Sequence, residues 1–233
     1  MDMRDQQHYA MEPIAHIRTD FPAKFGIPRQ SGFVPQLKSR IIFTPGCRNA
    51  DALKGLEEFS HIWLIWVFSE NIRARWSPTV RPPRLGGNQR KGVFATRSPF
   101  RPNPIGLSSV RLEGIDWETP EGPQLLVSGA DLMDQTPILD IKPYIALSDS
   151  HPDALCSFAG PAQEHRLTVA IAPQLLVKLP EEYREALFEV LALDPRPAYQ
   201  NDPERIYGFA FAGREIRFKV SENVLTVVAI EKT

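Results

Sequence analysis

The sequence is short of the residues from which most catalytic scaffolds are built. Its 233 residues include two cysteines, Cys47 and Cys156, which are far apart and form no Cys-x-x-Cys pair. A disulfide framework and a thiolate metal site are therefore not expected, and a reducing cytoplasm is the expected compartment. The five histidines are scattered without metal-ligand spacing, so no metal is expected. The longest apolar run, Ile62 to Phe68, has seven residues and cannot span a bilayer. The first residues, with Asp2 and Asp5, contain no apolar leader. Glycine, at 14, is outnumbered by proline, at 22, and no G-x-x-x-x-G-K-[ST] or strand-borne G-x-G-x-x-G occurs. H-E-x-x-H and G-x-S-x-G are absent too, so P-loop, Rossmann, zincin and serine-hydrolase chemistries have no footing.

Acidic residues are missing from one region altogether. The formal net charge is −1, yet no Asp or Glu lies between Asn71 and Arg111. That stretch holds nine cations: Arg73, Arg75, Arg81, Arg84, Arg90, Lys91, Arg97, Arg101 and Arg111. Eight of them are arginine, whose planar fork suits phosphates and base edges. Trp76, Phe94 and Phe100 stand among them and can stack on bases. A solvated basic face paired with the acidic C-terminal third is the plainer reading. An unbroken absence of acid favours an anionic partner, RNA or DNA.

Short strand-like segments separated by turn residues dominate the first two-thirds. They are Ile14–Arg18, Arg40–Phe43, Ile62–Phe68, Gly92–Thr96, Ile105–Leu112, Gln124–Ser128, Ile138–Ile141 and Arg166–Ile171. Ile62–Phe68 is apolar throughout and reads as a strand buried on both faces. Asn49 or Asp51 caps one short helix through Ala52, Leu53, Leu56 and Phe59. Between Ser77 and Gly92, Pro82-Pro83 and Gly86-Gly87 predict an ordered loop without regular structure. This pattern predicts a mainly β chain, a barrel or sandwich. The last third differs. Pro180-Glu181-Glu182 opens a helix whose apolar face is Tyr183, Ala186, Leu187, Val190 and Leu191. Three strands follow, Ile206–Phe211, Glu215–Val220 and Val224–Ile230, the first two joined through Ala212-Gly213. We place the boundary so that residues 1–155 form one domain and 156–233 a small α+β domain.

The densest chemistry lies between Phe94 and Ser108. Pro99, Pro102 and Pro104 stiffen the backbone and bias Ser98, Arg101 and Asn103 toward extended geometry. A barrel corner needs the prolines and Gly106, but not Arg97, Arg101 and Asn103. A second polar cluster runs through Asp131, Asp134 and Asp140, where turn capping is the plainer reading. His61 and Cys47 read as structural.

Phe94-Ala95-Thr96-Arg97-Ser98-Pro99-Phe100-Arg101-Pro102-Asn103-Pro104-Ile105-Gly106-Leu107-Ser108 resembles the signature of the TsaA-like family, known also as TrmO or YaeB. So do Pro28-Arg29-Gln30, Gly55-Leu56-Glu57, Arg81-Pro82-Pro83-Arg84-Leu85-Gly86-Gly87-Asn88 and Asp140-Ile141-Lys142-Pro143-Tyr144. Asp194-Pro195-Arg196-Pro197-Ala198-Tyr199 is similar to the family's C-terminal unit. The resemblance implies a single-sheeted β-barrel methyltransferase that uses S-adenosylmethionine, acts on the tRNA anticodon loop and works as a homodimer. The implied reaction methylates N6 of threonylcarbamoyl-adenosine beside the anticodon. Carried over by position, it implies cofactor contacts at Arg29, Gln30, Ser31, Ser69, Glu70, Arg97, Leu107, Ser128, Gly129, Ala130 and Asp131. Ser69 stands where relatives often have His, so its contact falls to the backbone. Asn103 is the candidate acceptor for the amine hydrogens and Asp134 the second candidate, as acceptor or base. Arg73, Arg75, Arg81, Arg84, Arg90, Lys91 and Arg101 are candidates for the RNA. An RNA-binding module without catalysis, and a methyltransferase of small amines, remain the competing readings.

Overall fold

The computed structural model describes residues 9–82, 89–159, 166–196 and 202–233. In chain order its strands are β1 (Ala15–Arg18), β2 (Lys38–Phe43), β3 (His61–Val67), β4 (Thr79–Val80), β5 (Lys91–Gly92), β6 (Ile105–Asp116), β7 (Gln124–Ser128) and β8 (Pro137–Pro143). After them come β9 (Thr168–Ala170), β10 (Tyr207–Phe211), β11 (Arg214–Ser221) and β12 (Val224–Lys232). The α-helices are α1 (Ala146–Asp149), α2 (Pro173–Leu176) and α3 (Glu181–Ala192).

Six strands close a barrel in the order β1-β2-β7-β6-β3-β8. Every neighbouring pair is antiparallel. Closure leaves a strand one buried face. β3 accordingly alternates, with Ile62, Leu64 and Trp66 buried and His61, Trp63, Ile65 and Val67 half-exposed. The expectation of burial on both faces is corrected by that alternation. The outward aromatics explain the misreading, because Trp63 is occupied by Tyr144 (centroids 5.5 Å apart) and by Asp149 Oδ2, which accepts from its Nε1 at 2.8 Å. The interior is filled by Ile17, Ile41, Ile62, Leu64, Val110, Leu125, Val127 and Ile138.

The expected helix through Ala52–Phe59 is instead two 3₁₀ turns, Ala50–Leu53 and Leu56–Glu58. Gly55 between them has φ of +82°, which no α-helix accommodates. The Asn49 side chain does cap, accepting from the Asp51 N–H. The region expected to lack regular structure carries a two-residue ladder, Thr79 with Gly92 and Val80 with Lys91. Gly92–Thr96 is not one strand: Val93–Ala95 forms a 3₁₀ turn.

Residues 166–233 make a four-stranded sheet ordered β10-β11-β12-β9, with β9 parallel to β12. α3 buries Ala186, Leu187, Val190 and Leu191 against it, four of the five positions expected; Tyr183 is half-buried. Ala212 (φ +49°) and Gly213 (φ +68°) form the tight turn between β10 and β11. The core of this sheet is not drawn from the C-terminal third alone. Phe21, Val34 and Leu37, from the segment between β1 and β2, are buried inside it.

Candidate active site

That segment also delivers the first piece of the site. Between Phe21 and Val34 the chain passes through Arg29, Gln30 and Ser31, then docks on the turn after β7. The Gly32 N–H donates to Gly129 O at 2.8 Å, and the Gly129 N–H to Leu37 O at 2.9 Å. Gly129 has φ of +75°, and a β-carbon there would lie 3.3 Å from Gly32. The two loops meet where only glycine permits it.

Three further segments converge on this point. A bulge at Ile65/Trp66 in the β3·β8 pairing brings Trp66 to the barrel mouth. Trp66 Nε1 donates to Ser108 Oγ at 3.0 Å, and Ser108 Oγ to Asp131 Oδ1 at 2.6 Å. Ser108 is 1% exposed. Burial pushes the Asp131 carboxyl above the usual carboxylate range, outweighing Ser108, the Ser31 N–H and the Arg97 charge, all of which favour ionisation. The Arg97 guanidinium donates to Gln30 Oε1. At the end of β3 the Phe68 N–H donates to Pro104 O at 2.8 Å, setting the turn Ser69–Asn71 beside the proline-stiffened loop. A cavity of about 140 Å³ opens here, lined by Trp66, Phe68, Ser69, Glu70, Asp131 and Met133 among others.

Of the residues expected to bind a cofactor, Gln30, Ser31, Ser69, Glu70, Arg97 and Asp131 are thus gathered in one place. Others are turned elsewhere. Arg29 Nη2 reaches the carbonyls of Asp194 and Arg196 in the C-terminal unit, each at 3.4 Å. Ser128 Oγ donates to Glu113 Oε1 at 2.5 Å. That bond, helped by Lys38, holds the Glu113 carboxyl below its usual range. Ala130 is in the barrel core, and Leu107 is 54% exposed.

Asn103 is exposed; its carbonyl accepts from the Ile105 N–H at 2.7 Å. Asp134, expected as a base, is committed to structure. Its Oδ1 accepts from the Thr19 N–H at 3.0 Å and pairs with Arg18 Nε at 3.3 Å. It also faces Asp20, whose carboxyl is pushed up to about 6, chiefly by burial and then by Asp134. Asp140, expected to cap a turn, lies instead within β8 opposite Ile65 and pairs with Lys142 at 2.9 Å.

The basic tract is mostly open. Arg73, Arg75, Arg81 and Arg90 are exposed, and Lys91 is half-buried. Arg73 lies over the Phe100 ring, 3.8 Å from its centroid. Arg101 donates to Thr96 O (3.1 Å) and Ser98 O (3.4 Å), bracing the signature loop. Arg84 lies outside the described residues. Among the described residues, no group of three or more His, Cys, Asp or Glu gathers to hold a metal. No described helix is long and apolar enough to cross a membrane.

Sequence reasoning passed over Ser108 and Trp66. A signal existed: a serine in phase with Gly106, Val110 and Leu112 points into the barrel, where an unpaired hydroxyl is costly.

Comparison with known proteins agrees with the architecture. The tRNA-methyltransferase O N-terminal domain model matches residues 16–150, and the TrmO C-terminal domain model matches residues 164–233. The Escherichia coli K12 tRNA (adenine(37)-N6)-methyltransferase is 41% identical over 231 residues, 96% of this chain and 98% of the relative. A Pseudomonas aeruginosa relative named as an S-adenosylmethionine-dependent methyltransferase is 41% identical over 208 residues, 86% of this chain and 87% of that one. A crystal structure of TrmO from Pseudomonas aeruginosa superposes with a TM-score of 0.76 at 31% identity, covering 96% of this chain and 99% of that one. Closed barrel and site together define a β-barrel methyltransferase rather than one of the nucleotide-binding α/β kind. More particularly, the chain belongs to the TrmO family.

Proposed function

We propose that the protein transfers a methyl group from S-adenosylmethionine to N6 of the adenosine beside the tRNA anticodon, in its threonylcarbamoyl form. The observation that carries this reading is the Gln30–Arg97 and Ser31–Asp131–Ser108–Trp66 cluster at the mouth of a family barrel.

The donor set fits the cofactor. A guanidinium at Arg97 suits its carboxylate. Acceptors at Asp131 and Glu70 suit its ammonium and ribose hydroxyls. The Trp66 and Phe68 rings, 4.2 Å apart, offer π-faces to a sulfonium. When bound, the cofactor supplies an electrophilic methyl carbon. The chain's own task is alignment. Asn103, held between two prolines at the rim, accepts a hydrogen from the adenine amine and turns its lone pair toward the methyl. Asp134 supports the site indirectly, by tying the turn after β7 to Thr19. Arg75, Arg81 and Arg90 take phosphates of the anticodon loop, whose unstacked base reaches the site at modest cost.

In this reading residues 1–155 are the catalytic domain and 156–233 a domain that braces the Arg29–Ser31 loop. We infer a homodimer in which the Arg73–Lys91 segment approaches its partner's site, and a cytoplasmic location, which suits the exposed thiol of Cys156. The test is incubation with S-adenosylmethionine and tRNA carrying threonylcarbamoyl-adenosine, followed by mass spectrometry of the nucleosides. One added methyl on that nucleoside is expected. No methyl transfer, with calorimetry showing no cofactor binding, overturns the reading.

A further inference from the structure

We propose that Trp76 and Phe94 form a stacking platform for an unpaired RNA base flanking the methylated one, a proposal that rests on the tRNA reading above. The two rings are stacked with centroids 6.1 Å apart and planes 29° from parallel. They are also open to solvent, Trp76 by 48% and Phe94 by 72%. Two such rings left in water are informative, because large aromatics are usually covered unless something docks on them.

Their placement is built, not incidental. The β4·β5 ladder folds the segment back on itself. The Ser77 N–H donates to Phe100 O at 3.1 Å and the Val93 N–H to Pro78 O at 3.0 Å. These bonds fix the residue after Trp76 and the residue before Phe94. The pair is therefore held in place by the chain's own backbone bonds, which lowers the ordering cost of binding.

Charge selects the occupant. The rings lie in the acid-free stretch, with Arg75, Arg81 and Arg90 exposed around them in sequence. Aromatic faces among cations are how proteins hold single-stranded nucleic acid, the ring stacking on a base while the cations follow the backbone. An acidic peptide would satisfy the cations and leave the rings bare. A second copy of this chain that set this same face against it would bring the cations against themselves. Phe94 is three residues before Arg97, so the platform stands at most about 11 Å along the backbone from one cation of the cofactor cluster.

The experiment measures binding of a fluorescently labelled synthetic anticodon stem-loop RNA across a salt series, with light scattering on each protein. Trp76→Ala and Phe94→Ala should each weaken binding about 5- to 150-fold. The slope of log affinity against log salt should not change, because no charge is removed. Trp76→Phe should keep most of the affinity, and every variant the parent's mass. Parent-like RNA affinity in both alanine variants overturns the platform and leaves the tRNA reading intact. A parent that does not bind the RNA overturns both. A change of oligomeric state in the alanine variants also overturns the platform, since the pair would then seal a protein interface.

Discussion

Gly106→Ala tests the link between barrel packing and the site. Gly106 is the cross-strand partner of Trp66, and a β-carbon added there lands within the indole, on Cδ2, Cε2 and Cζ2. The indole is 8% exposed and cannot swing away freely. Overpacking of this kind costs about 1–3 kcal/mol. Displacing the ring also breaks the Trp66–Ser108 bond and strands a buried donor, which costs about 1–3 kcal/mol more. The two effects overlap, so we expect a loss of about 2–4 kcal/mol. For a chain of this length that lowers Tm by roughly 4–16 °C. Because Ser108 in turn donates a hydrogen bond to Asp131, the variant should also bind S-adenosylmethionine less tightly. Gly114→Ala on the same strand is the control, since nothing lies within 4 Å of a β-carbon there. It should stay within about 0.5 kcal/mol of the parent. The assay is calorimetric melting with cofactor titration of both variants. Equal Tm for Gly106→Ala and Gly114→Ala would refute the reasoning. So would a full 2–4 kcal/mol loss (about, by the same reckoning) from Gly106→Ala in a Trp66→Ala background, where the clash no longer exists.

Arg97→Ala should weaken cofactor affinity by roughly 10- to 150-fold, the worth of a charged hydrogen bond, read by isothermal titration. Replacing Arg75 and Arg81 together with Gln should flatten the salt slope of RNA binding by about one to two units. Asp20 gives the pH prediction. Unfolded, it ionises near 3.8; folded, it keeps its proton to about 6. The folded state therefore binds more protons between those values, and Asp20's contribution to stability falls as pH rises through that window. Asp20→Asn removes the penalty and should stabilise the protein by about 1–2 kcal/mol at pH 8, after discounting for partial solvent screening. The gain should vanish toward pH 4; an equal gain at both pH values means the carboxylate is not the cause.

Much of the barrel was legible because turn residues punctuate it. Gln124–Ser128 has the bounds read from the sequence, and β10 to β12 differ by a residue or two. The errors share a cause. Ile62–Phe68 looked buried on both faces because hydrophobicity does not distinguish a closed barrel's interior from an outer face covered by Tyr144 and α1. The helix at Ala52–Phe59 failed at Gly55, where a left-handed residue outweighs apolar spacing. In the candidate site, the sequence motifs already held Gln30, Arg97 and Asp131, which the fold brings together. The partners of Arg29 and Asp134 were not legible, because both side chains answer to groups distant in sequence, in the C-terminal unit and at Thr19.

The position of Arg29 explains why the C-terminal unit belongs to this site at all. The Arg29–Ser31 loop is too short to hold its own core, yet it must present Gln30 to Arg97 and the Ser31 N–H to Asp131. It is held twice: Phe21, Val34 and Leu37, on either side of it, are buried with the C-terminal sheet, while Gly32 hangs on Gly129 in the turn after β7. Arg29 ties the loop's start to the Asp194–Arg196 turn. That turn is itself locked, since Arg196 is 9% exposed and donates from Nε and Nη2 to the two oxygens of Asp194, each at 2.8 Å. A bidentate pair of this kind fixes direction as well as distance. The loop thus contacts both the turn after β7 and the C-terminal unit, and its geometry depends on both. Burial of three large apolar side chains across the seam, at about 1.5–3 kcal/mol each, is ample to hold them. The C-terminal unit thus holds in place the loop that presents Gln30 to Arg97 and the Ser31 N–H to Asp131.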